Sequence, residues 1–373
     1  MRFTDPARTD AVGQAAPAAR ADDFIVECHE NAVPPFAEAA LQQLYGNLFS
    51  TLAHHRVYGG RRNLNTFVVR SGDSILCLWL YERDGRVVRV LNEGIEIGEG
   101  AVRRFARHLF AADPSLCAIR FHAVQARLQH LALPHSVHNC LEDMVLTLPA
   151  SATDYLAQLG KSTRSYINRY LNKLRRDHPS VRFELVEAHE IDESCIRHII
   201  ALNRARMARK GKVSINDDTL AEQITHLAME CGLIGALTID GRLIAGTINY
   251  HVRDNYFLEV IAHDPQYDAY RIGTLCCYLT ICECIARGGS EYHFLWGQDE
   301  YKSRLLGRRR DLDDVIVYRS RRHKLWVLGL VLRDAFSAWE RRLRLRVRAL
   351  RKQGGVPGRL LHMLLTLRQR SLG

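Results

Sequence analysis

Apolar and polar residues alternate along two stretches of the chain in ways that predict the same order of elements twice. In the first stretch, from about residue 23 to residue 149, a helical pattern precedes three β-rich runs separated by Gly-Asp and Asp-Gly turn signals. Apolar residues at helical spacing then end at a proline, and another strand follows. In order, the segments are FAEAALQQLYGNLFSTL, NTFVVRSGD, SILCLWLYERDG, RVVRVLNEGIEI, EGAVRRFARHLFAADP and CAIRFHAV. They predict an antiparallel meander, a helix and a final strand.

The second stretch repeats this plan with clearer boundaries. Ser151 is a predicted N-cap with Asp154 at the capping-box position, and Pro179 ends the helical segment that follows. A strand, two helices, three strands with tight turns, a helix closed by a glycine pair, a strand, a short helix and a last strand come next. These are VRFELVEA, EIDESCIRHIIALNRARMARKG, NDDTLAEQITHLAMECG, LIGALTIDG, RLIAGTINYHV, NYFLEVIAHDP, RIGTLCCYLTICECIARGG, EYHFLW, DEYKSRLL and DDVIVYRS.

These patterns predict an α+β protein with two similar units and two terminal segments. Residues 1–22 are predicted to be disordered. Residues 23–150 and 151–322 are the two predicted units, and residues 323–373 are a predicted basic, amphipathic helical tail.

The tail combines an apolar helical stripe with a high positive charge. From residue 319 onward, fifteen Lys and Arg residues stand against two acids, which gives +13; the whole chain carries +11, so the rest carries about −2. A cationic helix with Trp and Leu on its apolar side is typical of a helix that lies on an anionic membrane. Packing on the protein's own body and RNA binding are the alternatives, but few aromatic residues interleave with the arginines, so a nucleic-acid partner is not expected. The stripe consists of Leu325, Leu328, Leu332, Phe336, Trp339, Leu343, Val347 and Leu350.

Cysteine usage and the lengths of the apolar runs indicate the compartment. Ten cysteines are scattered without a C-x-x-C motif, which favours a reducing cytoplasm. Four of them, Cys276, Cys277, Cys282 and Cys284, lie on one predicted helix and cannot surround one ion, so no metal is predicted. The N-terminus has no signal-peptide core, and the run LWVLGLVL has eight residues against the roughly 20 that span a bilayer. The sequence therefore predicts a cytoplasmic protein, peripheral on the inner membrane face through its tail.

The order of elements in the second stretch resembles the GNAT acyltransferase fold. Three segments are similar to those of the CelD-type branch, acetyltransferases associated with bacterial cellulose or exopolysaccharide synthesis. They are DGRLIAGTINY, AHDPQYDAYRIGTLCCY and WGQDEYKSRLLG. That branch is similar to the Fem peptidyltransferases, which carry two tandem GNAT-like units. The resemblance covers residues 154–320 well and residues 23–149 in outline. It implies two tandem GNAT-like units of mixed, mostly antiparallel sheets flanked by helices, and acetyl-CoA or another acyl-CoA as donor.

The resemblance places the donor's pyrophosphate at the N-terminus of the helix after NYFLEVIAHD, where free N–H groups and a positive partial charge lie. Arg271, Ile272, Gly273 and Thr274 occupy this position. Gly273 allows close approach of a phosphate, and Arg271 adds a cation. The family's loop usually has a second small, glycine-like residue, which this chain lacks. A helix that merely begins with these residues is the alternative interpretation.

The resemblance also implies catalytic roles within the segment GQDEYK. Tyr301 is the expected general acid for the departing thiolate, because a hydroxyl with a pKa of about 10 can protonate it. Lys302 is expected to hold a phosphate or the developing oxyanion. Asp299 is either a substrate-binding residue or, like Glu300, an acid that complements the helix dipole.

The general base is expected from the strands that line the cleft. Glu259 interrupts the apolar strand YFLEVIA, so it is either a cleft residue or a mispatterned exposed one. His293 in EYHFLW is the second candidate and an expected substrate-binding residue, although a strand histidine is more often hydrogen-bonded in the core. On the basic helix GKSTRSYINRYLNKLRRDHP, Lys161 and Arg164 are candidates for binding a phosphorylated or nucleotide-linked acceptor. A solvated amphipathic helix is the alternative there.

Three functions stay open at this point. The first is an acyl-CoA-dependent N- or O-acyltransferase, such as an acetyltransferase, acting on a glycan or on its lipid- or nucleotide-linked sugar precursor. The second is a Fem-like transferase that takes an aminoacyl group from tRNA. The third is a non-catalytic GNAT scaffold that recruits polysaccharide machinery to the membrane. The enzyme is favoured because the segment GQDEYK keeps titratable groups that a scaffold does not need.

Overall fold

The structure of the protein is a computed structural model that describes residues 24–59, 64–209 and 218–329, together with Leu332, Phe336, Trp339 and Arg341. The predicted disorder of residues 1–22 and the predicted helical tail beyond Arg341 lie outside the described residues. Within this part of the chain, no helix is both long enough and apolar enough to cross a bilayer.

The first unit begins with a strand and two helices and continues into the predicted meander. Its strands β2 and β3 alternate between apolar residues that pack on opposite sides, and its helix α3 buries the apolar face that the sequence predicts. The elements are β1 (Phe24–His29), α1 (Ala37–Tyr45), α2 (Leu52–Gly59), β2 (Asn65–Ser71), β3 (Ser74–Asp84), β4 (Val87–Val90), β5 (Glu96–Gly98), α3 (Glu99–Ala112), β6 (Ala118–Arg127) and β7 (His135–Thr147).

The second unit follows the predicted order closely. Ser151 is the N-cap of its first helix and accepts a hydrogen bond from the backbone of Asp154, as predicted. The elements are α4 (Ala152–Gln158), α5 (Lys161–Asp177), β8 (Arg182–Glu187), α6 (Glu193–Arg209), α7 (Asp218–Cys231), β9 (Gly232–Ile239), β10 (Arg242–Val252), β11 (Asn255–His263), α8 (Ile272–Ala286), β12 (Glu291–Trp296), α9 (Glu300–Arg304) and β13 (Arg308–Tyr318), with α10 (His323–Trp326) in the tail.

The described strands of both units form one mixed sheet. Their order is β1-β2-β3-β4-β6-β13-β7-β12-β11-β10-β9-β8, and β5 pairs with β6 beside this path. The last strand of each unit is exchanged, because β13 lies between β6 and β7 while β7 pairs with β12 of the second unit. The α+β class with helices flanking a mixed sheet is confirmed, and the two units share a single sheet.

Helices cover both faces of this sheet. On one side, which we call the α8 face, α3, α4, α5 and α8 pack against alternate strand residues such as Tyr292 and Phe294. On the other side, the α6 face, α1, α2, α6 and α7 pack, and His293 stacks on Phe257 there. Successive residues of a strand therefore belong to different faces.

Each unit contains one pair of parallel strands that separate along their length. In the second unit, β11 and β12 pair over three residues only and then diverge, and Leu295 takes a positive φ of 55° at the point of divergence. In the first unit, β4 pairs with β6, Ala123 takes a φ of 51°, and β5 then resumes the pairing with β6. The gap is therefore filled by β5 in the first unit, whereas no strand of the described chain fills it in the second.

Candidate active site

Glu259 lies at the opening between β11 and β12 because of a β-bulge. Ile248 on β10 pairs with Val260 and Asn249 pairs with Leu258, so Glu259 is an extra residue without a partner in the register. A bulge changes the direction of a side chain, and bulges are frequent beside active sites. Burial raises the pKa of Glu259 to about 7. The carboxyl group therefore titrates near neutral pH, as a general base requires.

Aromatic residues of the first unit line the α6 face beside Glu259. Burial and, after it, the nearby Glu259 raise the pKa of Tyr58 on α2. The His54 ring stacks on Tyr58 with 4.8 Å between centroids, and Phe49 lies 5.0 Å from Trp296 of the second unit. All four rings are half-buried. The sequence did not predict the contacts of Tyr58 with Glu259 and of Phe49 with Trp296, since these residues are more than 200 positions apart and their spacing carries no signal.

Lys302 is turned into the protein rather than toward solvent. Its side chain is 4% exposed and its Nζ donates hydrogen bonds to the backbone carbonyls of Leu295 and Trp296, at the end of β12. Burial lowers the pKa of Lys302. An ammonium group has three N–H donors, so one remains for a substrate oxygen. The observed contacts fix the backbone where β12 leaves its neighbour.

Tyr301 lies on the α8 face, next to the same end of β12. Its ring contacts Phe294 edge-on with 6.3 Å between centroids, and burial raises its pKa. The hydroxyl therefore stays protonated throughout the physiological range. Asp299 is exposed at the N-cap of α9, where it accepts a backbone hydrogen bond from Lys302 through its own carbonyl at 3.1 Å.

The predicted donor residues form the first turn of α8. Arg271 is the exposed N-cap in left-handed conformation with φ 55°, and Thr274 is half-buried. Within the described chain, the N–H groups of Ile272 and Gly273 have no backbone acceptor, as is usual in a first helical turn. These two donors and the helix dipole favour an anion at this end of α8, where Arg271 is exposed while Ile272 and Gly273 are buried.

Gly273 has a structural reason of its own. A Cβ atom at this position would lie 2.7 Å from Nδ1 of His263, at the end of β11, and His263 is held by Asp268 at 2.7 Å through Nε2. The absence of a side chain at Gly273 therefore lets α8 pack on β11. The contact with His263 alone accounts for a glycine at this position, and it is compatible with a phosphate bound there.

Helix α5 crosses the α8 face beside the same turn. Burial raises the pKa of Tyr166 against the opposing effects of Thr274 and Arg271, and a hydrogen bond with Arg271 lowers the pKa of Tyr170. Lys161 is exposed at the start of α5, and Arg164 is half-buried one turn later. The structure therefore places α5 next to the predicted donor site and on the opposite side of the sheet from Glu259.

His293 is part of a buried charge network that the sequence did not reveal. Its Nδ1 donates to Asp143 at 2.6 Å, and its Nε2 lies 3.3 Å from Glu291, which also pairs with both Nη atoms of Arg310. Burial lowers the pKa of His293, but the hydrogen bonds to Asp143 and Glu291 outweigh this and leave it raised. A histidine held in its charged form by two carboxylates is a poor general base. Glu259 is the better placed candidate.

A cavity of about 270 Å³ opens beside this network at the junction of the two units. The second unit contributes Glu291, His293 and Arg310 to its wall. The first unit contributes Asn47 from the loop after α1, Glu96 from β5 and Gln125 from β6. The cavity is therefore polar, and its His293 stacks on Phe257 of β11, two residues before Glu259.

We expect Gly273→Ala to lower the free energy of unfolding by about 1–3 kcal/mol, because the added methyl group would overlap the His263 ring. The second substitution His263→Ala should recover most of this loss by making room. Urea unfolding of the single and double variants measures both effects. Gly160→Ala is the matched control, since a Cβ atom there meets nothing within 4 Å. Equal stabilities of the Gly273 and Gly160 variants would contradict the packing argument.

Comparisons with known proteins bear on the domain and the fold. Residues 161–303 match the family described as "Acetyltransferase (GNAT) domain". A solved structure of FemX superposes with a TM-score of 0.59 at 8% identity, covering 80% of this chain and 99% of that one. The structure of L-PGS from Bacillus licheniformis gives 0.51 at 13% identity, covering 82% and 96%. These two likenesses show a shared fold.

No curated protein matches the sequence. The predicted resemblance to GNAT and Fem-type proteins is confirmed at the level of the domain and the fold, while the CelD-type branch stays a prediction. The match to a GNAT acetyltransferase domain over residues 161–303 supports an acyltransferase activity of the second unit.

Proposed function

We propose that the second unit transfers an acyl group from acetyl-CoA or another acyl-CoA to an amine or hydroxyl acceptor. The observation that carries the proposal is the opening between β11 and β12, which has free N–H groups of α8 on one face and Glu259, with a pKa of about 7, on the other. A donor and an acceptor that approach from opposite faces would meet in this opening. GNAT domains in general use acyl-CoA as donor, which supports the choice of donor.

Each predicted residue has a place in such a reaction. Ile272 and Gly273 would bind the pyrophosphate through their N–H groups, with Arg271 and Thr274 beside them. Glu259 would take the proton of the attacking amine or hydroxyl as the new acyl bond forms. The carbon–sulfur bond then breaks, and Tyr301 would protonate the departing thiolate.

Lys302 and Asp299 act on the same cleft in this proposal. Lys302 would direct its third N–H at the acyl oxygen, in addition to holding the end of β12. Asp299, which is exposed at the start of α9, would bind polar groups at the cleft entrance. Lys161 and Arg164 lie on the α8 face, so their proposed partners are the donor's phosphates rather than the acceptor.

For the acceptor we propose a glycan or a lipid- or nucleotide-linked sugar precursor. Two features of the α6 face support this choice. The rings of Phe49, Tyr58 and Trp296 offer apolar surface near Glu259, and the cavity beyond them offers His293 and other polar groups for hydroxyls.

An aminoacyl-tRNA donor is the second candidate, and the basic residues on the α8 face favour it. Arg169 lies over the ring of Tyr170, and Lys173 lies over the ring of Tyr270. The positive charges of Arg271 and Arg304 both lower the pKa of Tyr166, against the larger effect of burial. A cationic surface of this extent also suits a polynucleotide. The FemX and L-PGS likenesses support the fold that this reading requires but no substrate.

Titration of the purified full-length chain with acetyl-CoA tests the donor proposal. We expect binding, and we expect Arg271→Ala to weaken it about tenfold or more, because hydrogen bonds to charged groups contribute about 1.5–3 kcal/mol. Calorimetry gives both affinities. Arg175→Ala, on an exposed turn at the other end of α5, is the matched control and should bind normally. Failure to bind acetyl-CoA, combined with salt-sensitive binding of aminoacyl-tRNA, would replace the first donor by the second.

The pH dependence of acetyl transfer tests Glu259. Below a pH of about 7 its carboxyl group is protonated and cannot accept a proton, so the rate should rise as pH increases through about 7. Glu259→Gln should lower kcat by about 10² to 10⁴-fold and remove this dependence. Thiol release from acetyl-CoA with amino-sugar and neutral-sugar acceptors reports the rate.

Glu300→Gln is the control for this experiment, since Glu300 is an exposed acid on α9 that pairs with Arg304. That variant should keep both the rate and the pH profile. Wild-type turnover by Glu259→Gln would assign the base elsewhere. A wild-type chain that binds the donor yet transfers nothing to any acceptor would instead favour the scaffold function.

We also propose that the tail binds the surface of an anionic membrane. Its described part contacts the sheet at two places: Val327 packs near Tyr318 on the α6 face, and Arg341 pairs with Glu142 and Asn139 of β7. The apolar side chains along it point away from the body, and six of them are exposed. Contiguous exposed apolar surface in a basic segment is typical of a membrane contact. The six are Leu325, Trp326, Leu328, Leu332, Phe336 and Trp339.

Replacing Phe336 and Trp339 by Ser should weaken binding to vesicles that contain anionic lipid by at least about tenfold, since each buried apolar side chain contributes about 1.5–3 kcal/mol. Sedimentation with vesicles measures the bound fraction. Val137→Ser, which changes an exposed apolar residue on β7, should bind like the wild type. Binding should also fall with salt. Unchanged binding by the double variant would exclude the described stripe as the contact.

A further inference from the structure

Three side chains on the α6 face of the sheet meet at the seam between the two units. His122 belongs to β6, Asp314 to β13 and Cys140 to β7, and these strands are adjacent in the sheet. One imidazole nitrogen, one carboxylate oxygen and the thiol sulfur all lie within 4.8 Å of one another. Asp314 is buried, whereas His122 and Cys140 are half-buried, so the group is reachable from solvent.

Two β-bulges bring these side chains to one level. Asp313 pairs with Val124 and Val315 pairs with Phe121, so two residues of β6, His122 and Ala123, oppose the single Asp314. On the other side, Leu312 pairs with Leu141 and Asp313 pairs with Asn139, which leaves Cys140 as an extra residue of β7. Neighbouring strands lie about 4.8 Å apart, so residues at the same level of three adjacent strands are close enough to share one ion. Both β-bulges in the pairing of β13 with its neighbours thus lie at these three residues.

We propose that His122, Cys140 and Asp314 bind a divalent transition-metal ion, with Zn²⁺ as the preferred metal. The donor set of one nitrogen, one sulfur and one oxygen matches the ligands of Zn²⁺, whereas Mg²⁺ and Ca²⁺ prefer oxygen alone. Three protein ligands leave the fourth tetrahedral position to water. Binding replaces the thiol proton by the metal, and that proton passes to the buffer. The site contains none of the four α8 cysteines that cluster in the sequence, because its three ligands come from different strands.

The cluster's present contacts define what the ion must replace. His122 contacts Asp314 through Nδ1, and Arg120 approaches the other carboxylate oxygen of Asp314 at 3.2 Å. Cys140 donates to the carbonyl of Leu312 at 3.5 Å. The metal would take over the histidine nitrogen and one carboxylate oxygen, and Arg120 can stay on the second oxygen. A cation so close to the site opposes the ion, so removing its charge should strengthen binding.

The ion would link the exchanged strands of the two units. β6 belongs to the first unit and β13 to the second, so a bond from both to one metal joins the units at the centre of the sheet. Binding to the folded chain alone raises thermal stability with metal concentration. This role is independent of acyl transfer, and its test does not use activity.

Cobalt(II) titration of the full-length chain, freed of metal and kept in a non-chelating reductant, tests the proposal. We expect the near-ultraviolet absorption of a cobalt–thiolate bond, its loss on addition of Zn²⁺, and a rise in the unfolding temperature with Zn²⁺. Cys140→Ser should abolish the absorption, and His122→Ala should weaken metal binding by at least about tenfold. Arg120→Gln should tighten it. Cys28→Ser, at a half-buried free cysteine of β1, should leave it unchanged.

Two results would overturn the proposal. One is a wild-type chain without the thiolate absorption, which would leave the cluster as a His–Asp–Arg ion-pair network. The other is an absorption that survives Cys140→Ser and His122→Ala, which would place the metal elsewhere. Circular dichroism checks that each variant is folded. If Cys140→Ser does not fold, His122→Ala provides the test instead. The His122 side chain is 44% exposed, so its loss leaves no buried cavity.

Discussion

The antiparallel pairing of β13 with β7 is the contact on which the rest of the molecule depends. Its register runs over ten residue pairs, and it holds the last strand of each unit inside the sheet of the other. Each unit buries part of its core with the partner's strand, because Val315 and Val317 of β13 pack in the core of the first unit and Met144 and Leu146 of β7 pack in that of the second. The cleft and the cavity beside Arg310 inherit their geometry from this shared sheet.

The two units differ in the gap between their parallel strands, which is closed in the first unit and open in the second. Ala123 and Leu295 hold the same unusual backbone conformation at the point where two parallel strands part. In the first unit β5 follows β4 and restores the hydrogen bonds along β6, so the gap between the two strands is closed. In the second unit the chain instead turns into Asp264 and α8, and Glu259 faces the unfilled gap.

Local patterns in the sequence were sufficient for much of the second unit. The tight turns at Asp240 and Arg253, the N-cap at Ser151 and the composition of α8 are short-range signals, and Glu259 was found because it interrupts an apolar strand. β1 and β7 were missed, since β7 carries polar residues along half of its length and resembles a loop. The exchange of β7 and β13 and the bond between Asp143 and His293 join residues 150 or more positions apart, which no local pattern encodes.

The attachment of the tail has a consequence for how the two substrates would arrive. Val327 holds the start of the tail on the α6 face, the same face toward which Glu259 points, while the first turn of α8 and Tyr301 lie on the other. A chain resting on a bilayer through the tail would turn its acceptor side to the lipid and its donor side to the aqueous phase. The sheet would then act as a partition, so that a surface-bound acceptor and a water-soluble donor reach one reaction centre without sharing an entrance.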